Sequence, residues 1–345
     1  MQIEQIGKYR VVAKIGQGAM GDVYKGHDPT LNRDVAIKTI TASLGAEDEI
    51  RKRFLREAQS AARLNHPNII TVYDYGEEQG KIFMAMELLE GRDLKDLIAQ
   101  NKLGDLHQKL DIMEQMADGL AFAHAHDLIH RDIKPANIHV QPTGQVKILD
   151  FGLARFSSSE MTRTGMVMGT PHYMSPEQVR GEKVDARSDL FSLGAVFYEV
   201  LSGHKPFDGD SMHTVLYHVM QDDPQPLRKW VDVPPMLVEL VERSLIKDPT
   251  RRIQRAVHLG DGVRAVRTAL AEGREAEARL DSDGAGPEST IYEAPRPASA
   301  GPSAKSPAPK RAVAARRRAL RGWPPPAPSR CLRRRRGGCH SPATA

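Results

Sequence analysis

The spacing of apolar residues changes character once along this chain, near residue 92, and that change limits the fold more than any other feature. Before it, YRVVAKIG, GDVYKGHD and DVAIKTI alternate apolar and polar residues, as half-buried strands do. NIITVYDYGEE and KIFMAMELL continue that alternation. Between the two groups, EIRKRFLREAQSAARLNH sets Phe54, Ala58, Ala61 and Leu64 at helical spacing, and His66-Pro67 ends the run. The reading is five short antiparallel strands around one helix. Beyond residue 92, LKDLIAQN, HQKLDIMEQMADGLAFAHAHD, DLFSLGAVFYEVLSG, SMHTVLYHVMQ and PPMLVELVERSLI are amphipathic helices. NIHVQPTGQVKILD interrupts them as two strands about a Pro142–Gln145 turn. The pattern predicts an α+β chain with a strand-rich lobe over 9–86, a connector over 87–91 and a mainly helical lobe over 92–270. Residues 1–8 form a short N-terminal extension.

Composition separates a tail from these lobes. The net charge of +5 over 345 residues is uneven. Residues 271–345 hold 15 Lys/Arg against 7 Asp/Glu, so the first 270 residues are mildly acidic. The tail is rich in Pro, Ala, Ser and Gly and buries too little apolar surface to offset its ordering entropy, which predicts disorder over 271–345. Its basic end has the chemistry to attract nucleic acid or anionic lipid, although the composition favours no specific role. The only cysteines, Cys331 and Cys339, lie there, so no disulfide framework supports the lobes. MQIEQIGKYR lacks an apolar signal core, and no run approaches the roughly 18 apolar residues of a membrane span. The expectation is a soluble cytoplasmic protein.

Three motifs carry candidate chemistry. Gly16-Gln-Gly18-Ala-Met-Gly21 is weak alone, because GxGxxG also opens dinucleotide-binding helices. Here alternating strands flank it, so it caps a hairpin whose glycines let backbone N–H groups approach phosphate oxygens. Val35-Ala-Ile-Lys38 follows on the next strand, and Glu57, beside the buried stripe of the helix, is the best partner for Lys38. His130-Arg131-Asp132-Ile-Lys134-Pro-Ala-Asn137 then sets a carboxylate and an amide five residues apart. A hairpin centred between Thr143 and Gly144 would bring Asn137 and Asp150 face to face, as hard oxygen ligands for Mg²⁺. Asp150 heads Asp150-Phe151-Gly152, where glycine gives the backbone freedom to aim the carboxylate.

With GQGAMGDV, VAIK, Glu57, HRDIKPAN, DFG, GTPHYMSPE, SDLFSLG and KDPTRR in order over residues 9–270, the sequence resembles the bacterial eukaryotic-like (Hanks-type) serine/threonine protein kinases. The resemblance implies the bilobal kinase fold and γ-phosphoryl transfer from ATP to Ser/Thr hydroxyls, with Mg²⁺ or Mn²⁺. It places Ile15, Gly16, Gly18, Gly21, Val23, Ala36 and Lys38 around ATP, with Glu57 holding Lys38. Met86 resembles the gatekeeper before the connector, where Glu87 and Leu89 flank adenine. Asp93 takes the ribose position, or is simply a helix-start acid. Asp132 would accept or orient the hydroxyl proton, Lys134 would steady the γ-phosphoryl group, and Asn137 and Asp150 would hold the metal.

Other positions carry structural or regulatory expectations from the same resemblance. His130 would brace Phe151, and Asp189 would hold the backbone of the catalytic loop. Glu177 and Arg252 would form a buried ion pair. Lys134 together with Thr170 points to the serine/threonine branch. Arg131 before Asp132 implies switching by activation-loop phosphorylation, with Thr162 and Thr164 as autophosphorylation sites. Expected partners are protein substrates and a second copy for trans-autophosphorylation. One departure stands out: His139 occupies the normally apolar floor under adenine. Either its flat neutral ring packs under the purine, or it weakens ATP binding. The second option defines a competing reading, a pseudokinase-like ATP-binding or scaffold protein, against which the complete motif set argues.

Overall fold

The computed structural model describes residues 4–18, 21–40, 62–78, 81–151 and 171–274. The N-terminal lobe is one antiparallel sheet of strands β1 (Gln5–Ile6), β2 (Tyr9–Gly18), β3 (Gly21–Asp28), β4 (Arg33–Ile40), β5 (Val72–Glu78) and β6 (Lys81–Glu87), in the order β1-β2-β3-β4-β6-β5. Six strands replace the five expected. The addition is the two-residue β1, which pairs Gln5 with Arg10 and Ile6 with Tyr9 and is too short to show any alternation in sequence. It converts part of the expected N-terminal extension into sheet. The helix expected before His66-Pro67 falls largely outside the described residues.

Alternation sorts the side chains of this sheet between two faces. Val35, Ile37, Phe83 and Ala85 join Ile6, Tyr9 and Tyr24 in one buried cluster. The residues between them, Ala36 and Met86, face the other way and build a second cluster with Ile70. That second face looks toward the cleft between the lobes.

The helical lobe begins at β7 (Arg92–Asp93), followed by α1 (Leu94–Ala99) and α2 (Leu106–Ala125). Strand β7 pairs with β8 (Ile138–Val140), which pairs with β9 (Val146–Ile148). The first turn of this lobe crosses close under that sheet. At Gly91, φ is 121° and a Cβ would overlap the Val140 carbonyl, so only glycine fits.

Next come α3 (Pro176–Val179), α4 (Ala186–Ser202), α5 (Met212–Gln221), α6 (Pro235–Ser244) and α7 (Ala256–Ala271). Helix α4 is buried without interruption from Ser188 to Leu201, as a helix apolar on most of its circumference must be. Asp185 caps its start and Gly203, in the left-handed conformation, ends it. Each fully buried Leu or Phe on α4 contributes about 1.5–3 kcal/mol of burial, which makes this helix the centre of the lobe. No helix among the described residues is long and apolar enough to cross a membrane.

Candidate active site

The loop between α2 and β8 carries His130, Arg131, Asp132, Lys134 and Asn137, and one buried carboxylate fixes its entry. Asp189, on α4, accepts from the backbone N–H of His130 (2.8 Å) and of Arg131 (2.7 Å), and pairs with His124 Nε2 (2.8 Å). Two amides held on one carboxylate let Arg131 adopt a left-handed backbone, φ 69°. His130 is fully buried, and its ring packs at a tilt of 59° against Phe151 with centroids 4.6 Å apart. Its Nε2 donates to the Leu149 carbonyl (2.7 Å) and its Nδ1 accepts from Asp132 N–H (3.2 Å). Those two partners require a neutral ring with the proton on Nε2.

Asp132 presents a half-buried carboxylate. Its Oδ2 accepts from Lys134 Nζ at 2.6 Å and from Asn137 Nδ2 at 2.9 Å. Asn137 Nδ2 also donates to the Asp132 carbonyl at 2.8 Å. The amide nitrogen is thereby committed, and the amide oxygen carries no hydrogen bond among the described residues.

The hairpin that follows departs from the expected register. Ile138 pairs with Ile148 and Val140 with Val146, so Asn137 stands opposite Leu149, whose N–H donates to the Asn137 carbonyl (2.8 Å). Asp150 lies one residue past that position rather than face to face with Asn137. The reason is the turn: Gly144, at φ 84°, adds a left-handed residue after the turn closed by Gly144 N–H to Gln141 carbonyl, so the loop has three residues instead of two. Asp150 itself has φ 58° and leaves the ladder sharply. Its Oδ2 accepts from Lys38 Nζ at 2.6 Å, across the cleft. Glu57, the expected partner of Lys38, lies outside the described residues, as do Gly152, Thr162, Thr164 and Thr170.

Above these groups is the apolar cluster of Ala36, Ile70 and Met86, with Val23, Leu88, Leu89 and Leu149 packed against it. The sheet register explains the gathering: Val23 lies opposite Lys38, and Ala36 opposite Met86. Gly16 and Gly18 of β2 pair with Val23 and Gly21 of β3, so the glycine motif does cap a hairpin. Ile15, by contrast, is 50% exposed. His139 is half-buried opposite Asp93, and its Nε2 lies 3.2 Å from the Glu90 carbonyl. The Asp93 carboxylate caps α1 by accepting from Asp96 N–H (2.7 Å).

The connector is held from behind. Glu87 Oε1 accepts from Thr71 N–H (2.7 Å) and from Lys147 Nζ (2.8 Å), and Lys147 also donates to the Ile69 carbonyl. Below the loop that carries Asp132, Arg252 donates twice to Glu177, at 2.8 and 3.1 Å, while Ser188 adds 2.6 Å to the same carboxylate. Burial alone would raise the Glu177 pKa, but the Arg252 and Ser188 hydrogen bonds outweigh it and hold the group below the usual carboxylate range. Gln178 carries this anchor to the loop by donating to the Arg131 carbonyl (2.8 Å).

Sequence reasoning did not single out Lys147, Gln178, or the buried pair Tyr173 Oη to Glu199 (2.6 Å). A lysine within an apolar strand and a glutamate within an apolar helix are the signals that could have found Lys147 and Glu199.

Residues 9–260 match the family described as protein kinase domain. The serine/threonine-protein kinase PknA of Mycobacterium tuberculosis is 42% identical over 267 residues, covering 76% of this chain and 62% of PknA. PrkC of Bacillus subtilis is 42% identical over 254 residues, covering 72% of this chain and 39% of PrkC. PknB of Mycolicibacterium smegmatis is also 42% identical, covering 73% and 42%. The chain therefore matches only part of the length of these curated relatives. Among solved structures, the Mycobacterium tuberculosis PknI kinase domain is similar with a TM-score of 0.62 at 28% identity, covering 77% of this chain and 99% of that one.

Proposed function

The chain belongs to the protein kinase domain family, and on that premise we propose that it is a serine/threonine kinase that phosphorylates protein substrates with ATP. The observation that carries this reading is the Asp132 carboxylate, aimed by Lys134 and Asn137 at 2.6 and 2.9 Å. In the proposed reaction Asp132 takes the proton of a Ser or Thr hydroxyl. That oxygen bonds to the γ-phosphorus as the bond to the β-phosphate oxygen breaks. Lys134 neutralises charge on the transferred group, and Lys38 binds the remaining phosphates. Catalysis of this kind is mostly positioning and charge neutralisation.

The donor set fits a hard divalent cation. The amide oxygen of Asn137, without a hydrogen bond among the described residues, and the carboxylate of Asp150 are oxygen ligands of the type Mg²⁺ prefers, with Mn²⁺ as a substitute. Such an ion supplies charge neutralisation for the phosphates. Lys38 sits on Asp150 at 2.6 Å, so it would leave that contact or share it. The cluster around Ala36 and Met86 offers an apolar slot for adenine, and the resemblance implies His139 as its floor.

The remaining assignments follow the same reading: a kinase domain over 9–270, Thr162 and Thr164 as autophosphorylation sites, and a second copy as the trans-acting partner. ATP dependence and the absence of cysteine before residue 331 suit a reducing cytoplasm.

The test is incubation of the full chain with MgATP, beside Asp132→Asn, with phosphate located by mass spectrometry. We expect phosphothreonine at 162 or 164 in the parent, and a loss of about a hundredfold or more in the variant. Absence of phosphate in the parent, together with no transfer to a generic basic-protein substrate, refutes the reading.

A further inference from the structure

Away from the cleft, the helical lobe carries an open groove of about 720 Å³ between α1, the start of α2 and the β8–β9 turn. Its floor is apolar, formed by Leu103, Ile112 and Val140. Its rim is cationic, with exposed Arg92 and Lys102. The acid on its wall, Asp111, is already engaged by Arg267 of α7 at 3.0 Å. The groove therefore presents unbalanced positive charge around an apolar floor.

The ion pairs of α7 show where the chain leaves the lobe. Arg264 bonds Glu114 and Asp118, and Arg267 bonds Asp111 and Glu114. Later residues of α7 thus meet earlier residues of α2, and the two helices run antiparallel. The C-terminal end of α7, at Ala271, accordingly reaches the beginning of α2, which is the groove's own wall. The next stretch of sequence is EAEARLDSDGAGPESTIYE, residues 275–293, with six acids, one arginine, and Leu280, Ile291 and Tyr292 as its large apolar residues. The seven residues from Glu275 to Asp281 reach roughly 23–25 Å when extended. A segment of this composition builds no core of its own, so any order it gains comes from the surface it lies on.

We propose that residues 275–291 dock in cis in this groove, with Asp281 and Asp283 against Lys102 and Arg92 and Leu280 and Ile291 on the floor. This contact is independent of phosphoryl transfer. It would tie the tail to the back of the helical lobe and leave the cleft open.

Hydrogen–deuterium exchange of the full chain at low ionic strength tests it. The amides of 276–291 should exchange about tenfold more slowly in the parent than in the double variant Arg92→Glu, Lys102→Glu. Adding Asp281→Lys and Asp283→Lys to that variant should restore slow exchange, and 1 M salt should abolish the protection in the parent. Amides of α4 in the same spectra establish that every variant is folded. Unprotected amides in the parent, protection unchanged by the charge reversals, or failure of the swap to restore it overturns the proposal. Protection that increases with protein concentration assigns the groove to a second copy and likewise overturns docking in cis.

Discussion

His130 and His139 belong to one short loop-strand stretch, and hydrogen bonding separates their roles. Both nitrogens of His130 are committed, one to the Leu149 carbonyl and the other to Asp132 N–H. It can fix the backbone that carries Asp132, but it has no free nitrogen to accept a proton. His139 directs its Nε2 to the Glu90 carbonyl, and in the proposed reading the flat of its ring faces adenine. Leucine at 139 would offer a similar apolar surface, and the carbonyl it frees belongs to exposed Glu90. We therefore expect His139→Leu to keep the KM for ATP within about twofold, some 0.4 kcal/mol; steady-state kinetics at varied ATP checks this. A tenfold change in either direction would show that the ring itself governs affinity. At this scale the sequence was most informative at Asp132 and Asn137, which stand five residues apart and which the structure joins by a hydrogen bond of 2.9 Å. It was silent on Lys147 and Gln178, whose partners Glu87 and Arg131 are distant in sequence and are brought to them only by the fold.

Among the longer helices, α7 is the one that periodicity did not reveal. Its sequence, AVHLGDGVRAVRTALA, contains Gly260 and Gly262, and Arg255 before it supplies no side-chain cap. Both features argue against a helix on local propensity. Packing explains the glycines. A Cβ on Gly262 would lie 2.5 Å from Leu240 Cδ2 of fully buried Leu240, and one on Gly260 would lie 3.2 Å from an Asp118 oxygen. Tertiary contact outweighs propensity here, so the two effects predict opposite signs for Gly262→Ala. Propensity alone gives a gain of about 1 kcal/mol, whereas overpacking against Leu240 costs about 1–3 kcal/mol. We expect net destabilisation in urea unfolding, and a stabilised variant would mean that α6 and α7 have slack between them. The β8–β9 hairpin teaches a related lesson. Its strands were legible from sequence, but its register depended on whether Gly144 sits inside or beyond the turn, a conformational choice that alternation does not encode.

For the whole molecule, the loss of charge freedom at Lys247 gives stability a pH dependence. Burial pushes the Lys247 amine down to about 8, although it donates to the His218 and Val219 carbonyls at the end of α5 and lies 3.7 Å from the Phe207 ring centroid. The unfolded chain holds that proton up to about 10.5, so between pH 8 and 10.5 it binds more protons than the folded chain. The Lys247 contribution to stability therefore rises with pH across that window and is flat below it. Melting temperatures from pH 7 to 10 should show the parent gaining relative to Lys247→Met as pH passes 8. Equal slopes for the two proteins would contradict this. The two-lobed architecture was legible because a lobe of strands and a lobe of helices have different periods, while the ties across each lobe were not. The α2–α7 seam is the longest of those ties among the described residues, joining Asp111 to Arg267 across 156 positions. During synthesis, α2 emerges long before α7 exists, and closing so long a loop carries a large entropic cost. Until α7 arrives, the small-residue face of α2 at Ala117 and the acids beside it have neither their glycine nor their arginine partners. The helical lobe thus has to be sheltered, by speed or by assistance, for nearly the whole time that its own remainder is being made.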